Sequence, residues 1–222
     1  MRLVAIDTAF EACSVGVDAG DGPPVLVSET VGRAHAERLM PMIAAACREA
    51  GLALTDLDRI AVTVGPGSFT GVRIGVAAAR GLALVTGAAA VGIGTLAVHA
   101  EAARAELGPG PILAVVTAGR GEVYGQAFAA DGAPAGPPAV GPPETFARLI
   151  GANTLIAGSG ADALASVIGE EAEARTVHRH AATDVAALLR LARAAPPPSE
   201  APRPLYLRPP DAKPQAAGVA RR

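Results

Sequence analysis

The run at residues 65–75, Gly-Pro-Gly-Ser-Phe-Thr-Gly-Val-Arg-Ile-Gly, is the densest chemical signal in the chain. A glycine-rich connection from an apolar strand into a helix presents backbone amides that can hold an anion. The spacing fails for a Walker-type phosphate loop, which needs four residues between its glycines and then Gly-Lys-Ser/Thr. Here Gly71 is followed by Val72 and Arg73, with no lysine near. Pro66 and Gly67 set a turn, and Ser68 or Thr70 is placed to cap the helix by accepting an amide hydrogen bond. Capping and packing are favoured over anion binding, although a helix start serves both.

Asp7 closes the first strand at a turn, where an isolated acid usually bonds its own backbone. The histidines are His35, His99, His178 and His180. A helical metal pair needs histidines four apart, and Thr95 holds the position four before His99. His178 and His180 alternate as strand neighbours do, but no third ligand accompanies them, so they read as surface residues and no metal site is expected. Ser68 has no base partner visible in sequence, and no catalytic residue is assigned. Cys13 and Cys47 are far apart and in no redox or metal spacing, which suits a reducing cytoplasm.

The elements that would carry these residues follow from hydropathy. Apolar stretches at 3–6, 12–17 and 25–30, separated by turn residues, predict three antiparallel strands. A helix is expected over 33–50, with Leu39, Met40, Ile43, Cys47 and Ala50 at steps of three or four; Pro41 should kink it or delay its start. A strand at 59–64, a helix at 70–85, a strand at 91–93 and a helix at 95–107 complete a first half. In the second helix Gly71, Gly75, Ala79 and Ala83 fall every four residues, a smooth ridge that another element can approach closely.

After Gly108-Pro109-Gly110-Pro111 the pattern restarts, with strands at 112–117 and 122–129, then helical stretches around 144–150, 160–168 and 183–194 and a strand at 154–157. The expected architecture is α/β with two related β-β-β-α-β-α-type subdomains, residues 1–107 and 108–208. A Pro- and Ala-rich tail at 209–222 is predicted to be disordered.

Composition narrows the function classes. Nineteen basic residues against twenty-one acids, a net charge of −2 and no basic block argue against strong binding of bare nucleic acid by this chain alone. Aromatics are 3% with no Trp, which removes a base-stacking platform. Residues 81–98 are uncharged and nominally long enough to span a membrane. Glycines at 87, 92 and 94 break them into a helix end, a strand and a second helix, so no membrane is expected. The amino terminus, cut at Asp7, is too short an apolar run for a signal peptide.

Several segments together resemble the bacterial TsaB (YeaZ) family: Ala5-Ile6-Asp7-Thr8 with Ala12-Cys13-Ser14-Val15, His35 with Glu37-Arg38-Leu39-Met40-Pro41, and the whole of 65–75 with Arg80-Gly81-Leu82-Ala83. Gly121-Glu122-Val123-Tyr124 and Pro204-Leu205-Tyr206-Leu207-Arg208 extend the resemblance through nearly the whole chain to about Arg208. It implies an actin-like (sugar-kinase/HSP70/actin) fold and a non-catalytic subunit that supports a TsaD-type transferase, together with a TsaE-type ATPase. That transferase makes threonylcarbamoyladenosine beside the anticodon of tRNAs reading codons that begin with A.

The resemblance further implies that ATP and a metal ion sit on partner subunits, that tRNA is met through the complex, and that the chain homodimerises when its partner is absent. In the transferase the segment aligned with Val91-Gly92-Ile93 leads into a His-x-x-x-His metal pair; here those positions are Thr95 and His99, a half site that should bind metal poorly. Family members pair through the first two helices, which places Leu39, Met40, Ile43, Val72, Gly75, Val76 and Ala79 on the expected partner interface. Actin-like ATPases hold an acid near the phosphates at the end of the first strand, so Asp7, Ser68 and Thr70 are the expected contacts for any nucleotide at the complex interface. The family's Asp-Ala-Arg before Glu-Val-Tyr is replaced here by Thr117-Ala118-Gly119-Arg120-Gly121, which loses the acid and displaces the arginine. The alternatives are an autonomous actin-like ATP-dependent transferase using Asp7 and residues 68–71, and a metallopeptidase-like protein.

Overall fold

A computed structural model describes residues 1–169, 175–178 and 182–208 of the chain. His180 and the tail at 209–222 lie outside the described residues.

The chain starts with β1 (Leu3–Asp7), β2 (Ala12–Asp18) and β3 (Val25–Thr30), an antiparallel meander as the turn residues predict. Helix α1 (His35–Glu49) begins two residues later than expected and runs through Pro41, which sits on its exposed face. The amide hydrogen missing there leaves the Glu37 carbonyl to solvent, a tolerable loss because Glu37 is itself exposed. A 3-10 turn at Leu54–Asp56 leads to β4 (Arg59–Thr63), then α2 (Phe69–Thr86), β5 (Ala89–Ile93) and α3 (Thr95–Leu107).

The second half repeats the order with β6 (Ile112–Gly119), β7 (Glu122–Phe128), β8 (Ala139–Gly141), α4 (Pro143–Ala147), β9 (Leu155–Ala157), α5 (Ala161–Ile168) and β10 (Thr176–His178), followed by α6 (Val185–Ala194). The sheets run β3-β2-β1-β4-β5 and β8-β7-β6-β9-β10, and in each the first three strands are antiparallel and the last two parallel to the first. The duplication predicted without a visible sequence repeat is therefore a repeat of topology. Strand β8 was missed because its three residues follow Gly136-Pro137-Pro138 and have no period of their own; pairing with β7 makes them a strand.

Alternation along β1 decides what packs where. Val4 and Ile6 face α1 and α2, while Leu3 and Ala5 face α3 and α6. Helix α3 is buried on several sides: Val98 and Ala102 meet the first sheet, and Leu96, Ala100 and Ala103 meet Ile112, Ala114 and Val116 of the second. A helix with apolar side chains on two faces packs between layers, and this one joins the two halves. Helix α2 is long and apolar enough to cross a membrane by length and composition. Here its Gly71, Val72, Gly75, Val76, Ala79 and Leu82 are buried, mostly against β1 and β4.

The expected boundary at 108–208 needs correcting at its end. Helix α6 packs on β1, β2, β4 and β5 and on α3, because Val185, Leu188, Leu189 and Ala192 form the apolar stripe that Leu3, Ala5 and Ala61 require. Arg59, only 8% exposed, secures it by donating from Nη1 to the carbonyls of Ala192 and Ala195, both at 2.6 Å. A cation at those unpaired carbonyls also favours the negative end of the helix dipole. Replacing Arg59→Met should lower unfolding free energy by about 2–3 kcal/mol, since two charged hydrogen bonds are lost and the Ala192 and Ala195 carbonyls are left without that donor. Urea titration is the check, and an unchanged midpoint would contradict the capping role.

Candidate functional site

A cleft of about 950 Å³ opens between the halves. One wall is built by Phe10 and Glu11 from the β1–β2 turn, Arg33 and His35 at the start of α1, and Ser68 and Thr70 at the start of α2. The other is built by residues 117–119, Tyr124 and Ser159. Thr117 ties that wall together, donating from its amide to Ser159 Oγ at 3.3 Å and from its Oγ1 to the Ser159 carbonyl at 3.2 Å. His35 is 5% exposed, and its Nε2 donates to the Phe10 carbonyl at 2.7 Å. That bond anchors α1 to the turn and fixes the proton on Nε2, because a carbonyl can only accept.

The glycine-rich run is a packing device. Ser68 caps α2 by accepting the Gly71 amide at 3.2 Å, as its residue type predicts. Its own amide donates to the Ala9 carbonyl at 2.7 Å, and Thr8 Oγ1 donates to the Gly71 carbonyl at 2.7 Å. These bonds draw the helix start so close to β1 that side chains are excluded. A Cβ on Gly71 would lie 2.0 Å from the Thr8 carbonyl oxygen, and one on Gly75 would lie 2.5 Å from Thr8 Oγ1. The Gly65 carbonyl also accepts the Thr95 amide at 2.8 Å, which seats α3.

Asp7 is not a cleft residue. It is fully buried: Oδ1 accepts from the Ala9 amide at 3.0 Å and from Thr63 Oγ1 at 2.5 Å, and Oδ2 accepts from Thr183 Oγ1. Burial pushes its carboxyl well above the usual carboxylate range, against the pull of those three bonds and of nearby His35. The expected nucleotide contact at Asp7 is therefore corrected: the carboxyl clamps β1, β4 and the approach to α6. Ser68 and Thr70, by contrast, do line the cleft. An actin-like cleft implies a nucleotide with its metal, and these residues do not fit that group as a hydrolytic site. The acid of the first strand is withdrawn, residues 117–121 carry none, and Glu11 is the carboxylate among the described lining residues.

Thr95 and His99 are 0% and 3% exposed at the start of α3, with the His99 ring 6.1 Å from that of Phe10. Cys13 and Cys47 are buried, and burial raises both thiols, Cys13 to about 11, so neither is a poised nucleophile.

The expected partner face also needs correction. Leu39 (1% exposed), Ile43 (0%), Val72 (3%), Val76 (3%) and Ala79 (0%) are core residues, and Gly75 is buried against Thr8; of that set only Met40, at 43%, is outside. The physical reason is that the small-residue ridge and the apolar stripe both cover the protein's own sheet. The outward face of α2 instead carries Ala77, Gly81, Leu84 (88%) and Val85 (82%), and that of α1 carries Met40 and Ala44.

A contact that sequence could not pair joins two distant segments. Arg73 stacks over Phe69 at 3.6 Å and donates from Nε to the Tyr206 hydroxyl at 2.7 Å, while the Leu205 amide donates to the Val64 carbonyl at 2.7 Å. Each end had been singled out, but nothing in the intervening residues signals their meeting.

The paired five-stranded sheets with an inter-half cleft define an actin-like two-subdomain α/β protein. Residues 26–135 match the family model for TsaD, tRNA N6-adenosine threonylcarbamoyltransferase. Over 124 residues the chain is 44% identical to the tRNA threonylcarbamoyladenosine biosynthesis protein TsaB of Escherichia coli, a match that covers 56% of this chain and 53% of that protein. It is 40% identical over 145 residues to a tRNA N6-adenosine threonylcarbamoyltransferase of Paracoccus denitrificans, covering 65% of this chain and 37% of that one. The chain thus spans about half the length, or less, of these curated relatives. The solved structure of YeaZ from Pseudomonas aeruginosa superposes with a TM-score of 0.74 at 32% identity, covering 93% of this chain and 99% of that one. The chain belongs to the TsaB (YeaZ) family.

Four substitutions at three positions test the site. Gly71→Ala should cost about 2 kcal/mol or more, because the backbone clash outweighs a helix-propensity gain of about 1 kcal/mol. Gly81→Ala, with no atom within 4 Å of its Cβ, should be neutral or stabilising in the same thermal melts. Asp7→Ala should lose about 2–4 kcal/mol by orphaning three donors. Asp7→Asn keeps the Oδ1 acceptor for Ala9 and Thr63 and can donate from Nδ2 to the Thr183 hydroxyl, so it should gain on the wild type as pH rises. A raised folded pKa means the wild-type contribution is complete below about pH 3.9 and is lost upward through that raised value. Parallel stability profiles for wild type and Asp7→Asn from pH 4 upward would refute this.

Proposed function

We propose that this chain is the non-catalytic subunit supporting a TsaD-type transferase in the formation of threonylcarbamoyladenosine next to the anticodon of tRNAs that read codons beginning with A. The observation that carries it is the 44% identity to E. coli TsaB, joined to a structural match over 93% of the chain. Transfer chemistry, ATP and the metal belong to the partners, a TsaD-type subunit and a TsaE-type ATPase. The withdrawal of Asp7 into the core supports that division, as does the replacement of the first metal histidine by Thr95. The near-neutral charge and scarcity of aromatics support a subunit that meets tRNA through the complex, in the cytoplasm and without a membrane.

Docking is assigned to the outward faces of the adjoining helices α1 and α2, which expose Met40, Ala44, Ala77, Gly81, Leu84 and Val85, with Arg80 among them. Such a surface suits helix-on-helix packing with a related chain. A second copy of this chain takes the same face when the partner is missing. Any nucleotide at the complex interface meets Ser68 and Thr70 rather than Asp7.

Reconstitution with the cognate transferase and ATPase tests the role. Omitting this chain should sharply lower threonylcarbamoyladenosine in digested tRNA, measured by mass spectrometry, and an equal rate without it would overturn the proposal. Leu84→Glu should weaken binding to the transferase about 10–100-fold, read by calorimetry, with little change in melting temperature because the side chain touches almost none of its own fold.

A further inference from the structure

We infer that residues 202–208 are a clasp that holds the two walls of the cleft at a fixed opening. The segment starts on the first half. Pro202 lies over Gly92 of edge strand β5, where a Cβ on the glycine would be 3.2 Å from the proline ring, and the Leu205 amide bonds the Val64 carbonyl beyond the end of β4. Tyr206 then closes on the start of α2, with its ring 5.3 Å from that of Phe69 and its hydroxyl accepting from Arg73. Two residues later the chain has reached the second half. Arg208 pairs through Nη2 with Glu122 of β7 and donates from Nη1 to the Ala118 carbonyl at 3.4 Å.

Both anchorages adjoin the cleft. Phe69 sits between Ser68 and Thr70 on one wall, and Ala118 is part of the other. The halves also share α3, which packs on both sheets, so the geometry is that of a hinge and a latch. Hinge and latch differ in strength for a physical reason. The α3 contacts are buried and apolar, whereas Phe69 and Tyr206 are about half exposed (51% and 49%), and so their contacts with Arg73 belong to a class that is individually weak and releasable. The ion pair to Glu122 is partly exposed and open to screening by salt.

The inference does not depend on the proposed role in tRNA modification, because it concerns the opening of this chain alone. Nitroxide labels at Leu26→Cys on β3 and Ser166→Cys on α5, both exposed and both off the α1 and α2 docking face, report the separation of the halves by pulsed electron paramagnetic resonance in samples diluted with unlabelled chain. The native Cys13 and Cys47 are buried and so escape labelling. The full-length clasped protein should give one narrow distance distribution. Tyr206→Ala combined with Arg208→Ala should add a second, longer and broader population, and so, more weakly, should Glu122→Ala or high salt on the unaltered clasp. If the double variant fails to fold by circular dichroism, Glu122→Ala decides, since it removes only the far anchor. A distribution in the folded variants that superposes on the starting one, at low and high salt, would overturn the clasp.

Discussion

The close approach of α2 to the end of β1 is the constraint on which the rest of the structure depends. Two hydrogen bonds, Ser68 amide to Ala9 carbonyl and Thr8 hydroxyl to Gly71 carbonyl, bring helix and strand to a separation that only glycine permits at positions 71 and 75. That contact sets the orientation of the β1–β2 turn, and the turn sets three further things. It delivers the Ala9 amide to Asp7, it presents the Phe10 carbonyl to His35, and it forms one wall of the cleft.

The same approach explains why a loop that looks made for phosphate does other work. The Ser68 and Gly71 amides are engaged inward, by the Ala9 carbonyl and by the Ser68 cap, and Asp7 is closed off by Thr63 and Thr183. A carboxylate in that position is costly, and it is retained as the point where β1, β4 and the segment before α6 are tied.

Duplication of the sheet gives the chain its second half, and α3 gives it unity. Because α3 offers apolar side chains to both sheets, the halves share a core, and α6 returns from the far end of the sequence to seal, beside α3, the same face of the first sheet. With their inner stripes committed to that sheet, α1 and α2 have only their outer faces left for a partner. Burial therefore takes Leu39, Ile43 and Val76 out of reach of a partner and leaves Met40, Leu84 and Val85 exposed.

What the sequence by itself determined was local. The meander of β1 to β3, the helices around 35–49 and 69–86, the cap at Ser68 and the restart after Pro111 were all legible, because periodicity, turn residues and caps act over a few positions. The length of α1 through Pro41 and the strand at Ala139–Gly141 were not, since solvent in one case and a neighbouring strand in the other decide them. Tertiary structure alone decided which face of α2 turns inward. It also settled that Asp7 serves the core and that the two ends of the family's pattern, Phe69 with Arg73 and Tyr206, meet across more than a hundred residues of chain. The run at 65–75 shows the difference most directly. Its glycines announce a close approach, but the atoms approached, the Thr8 carbonyl and hydroxyl, lie sixty residues away, and no local rule of spacing reaches that far.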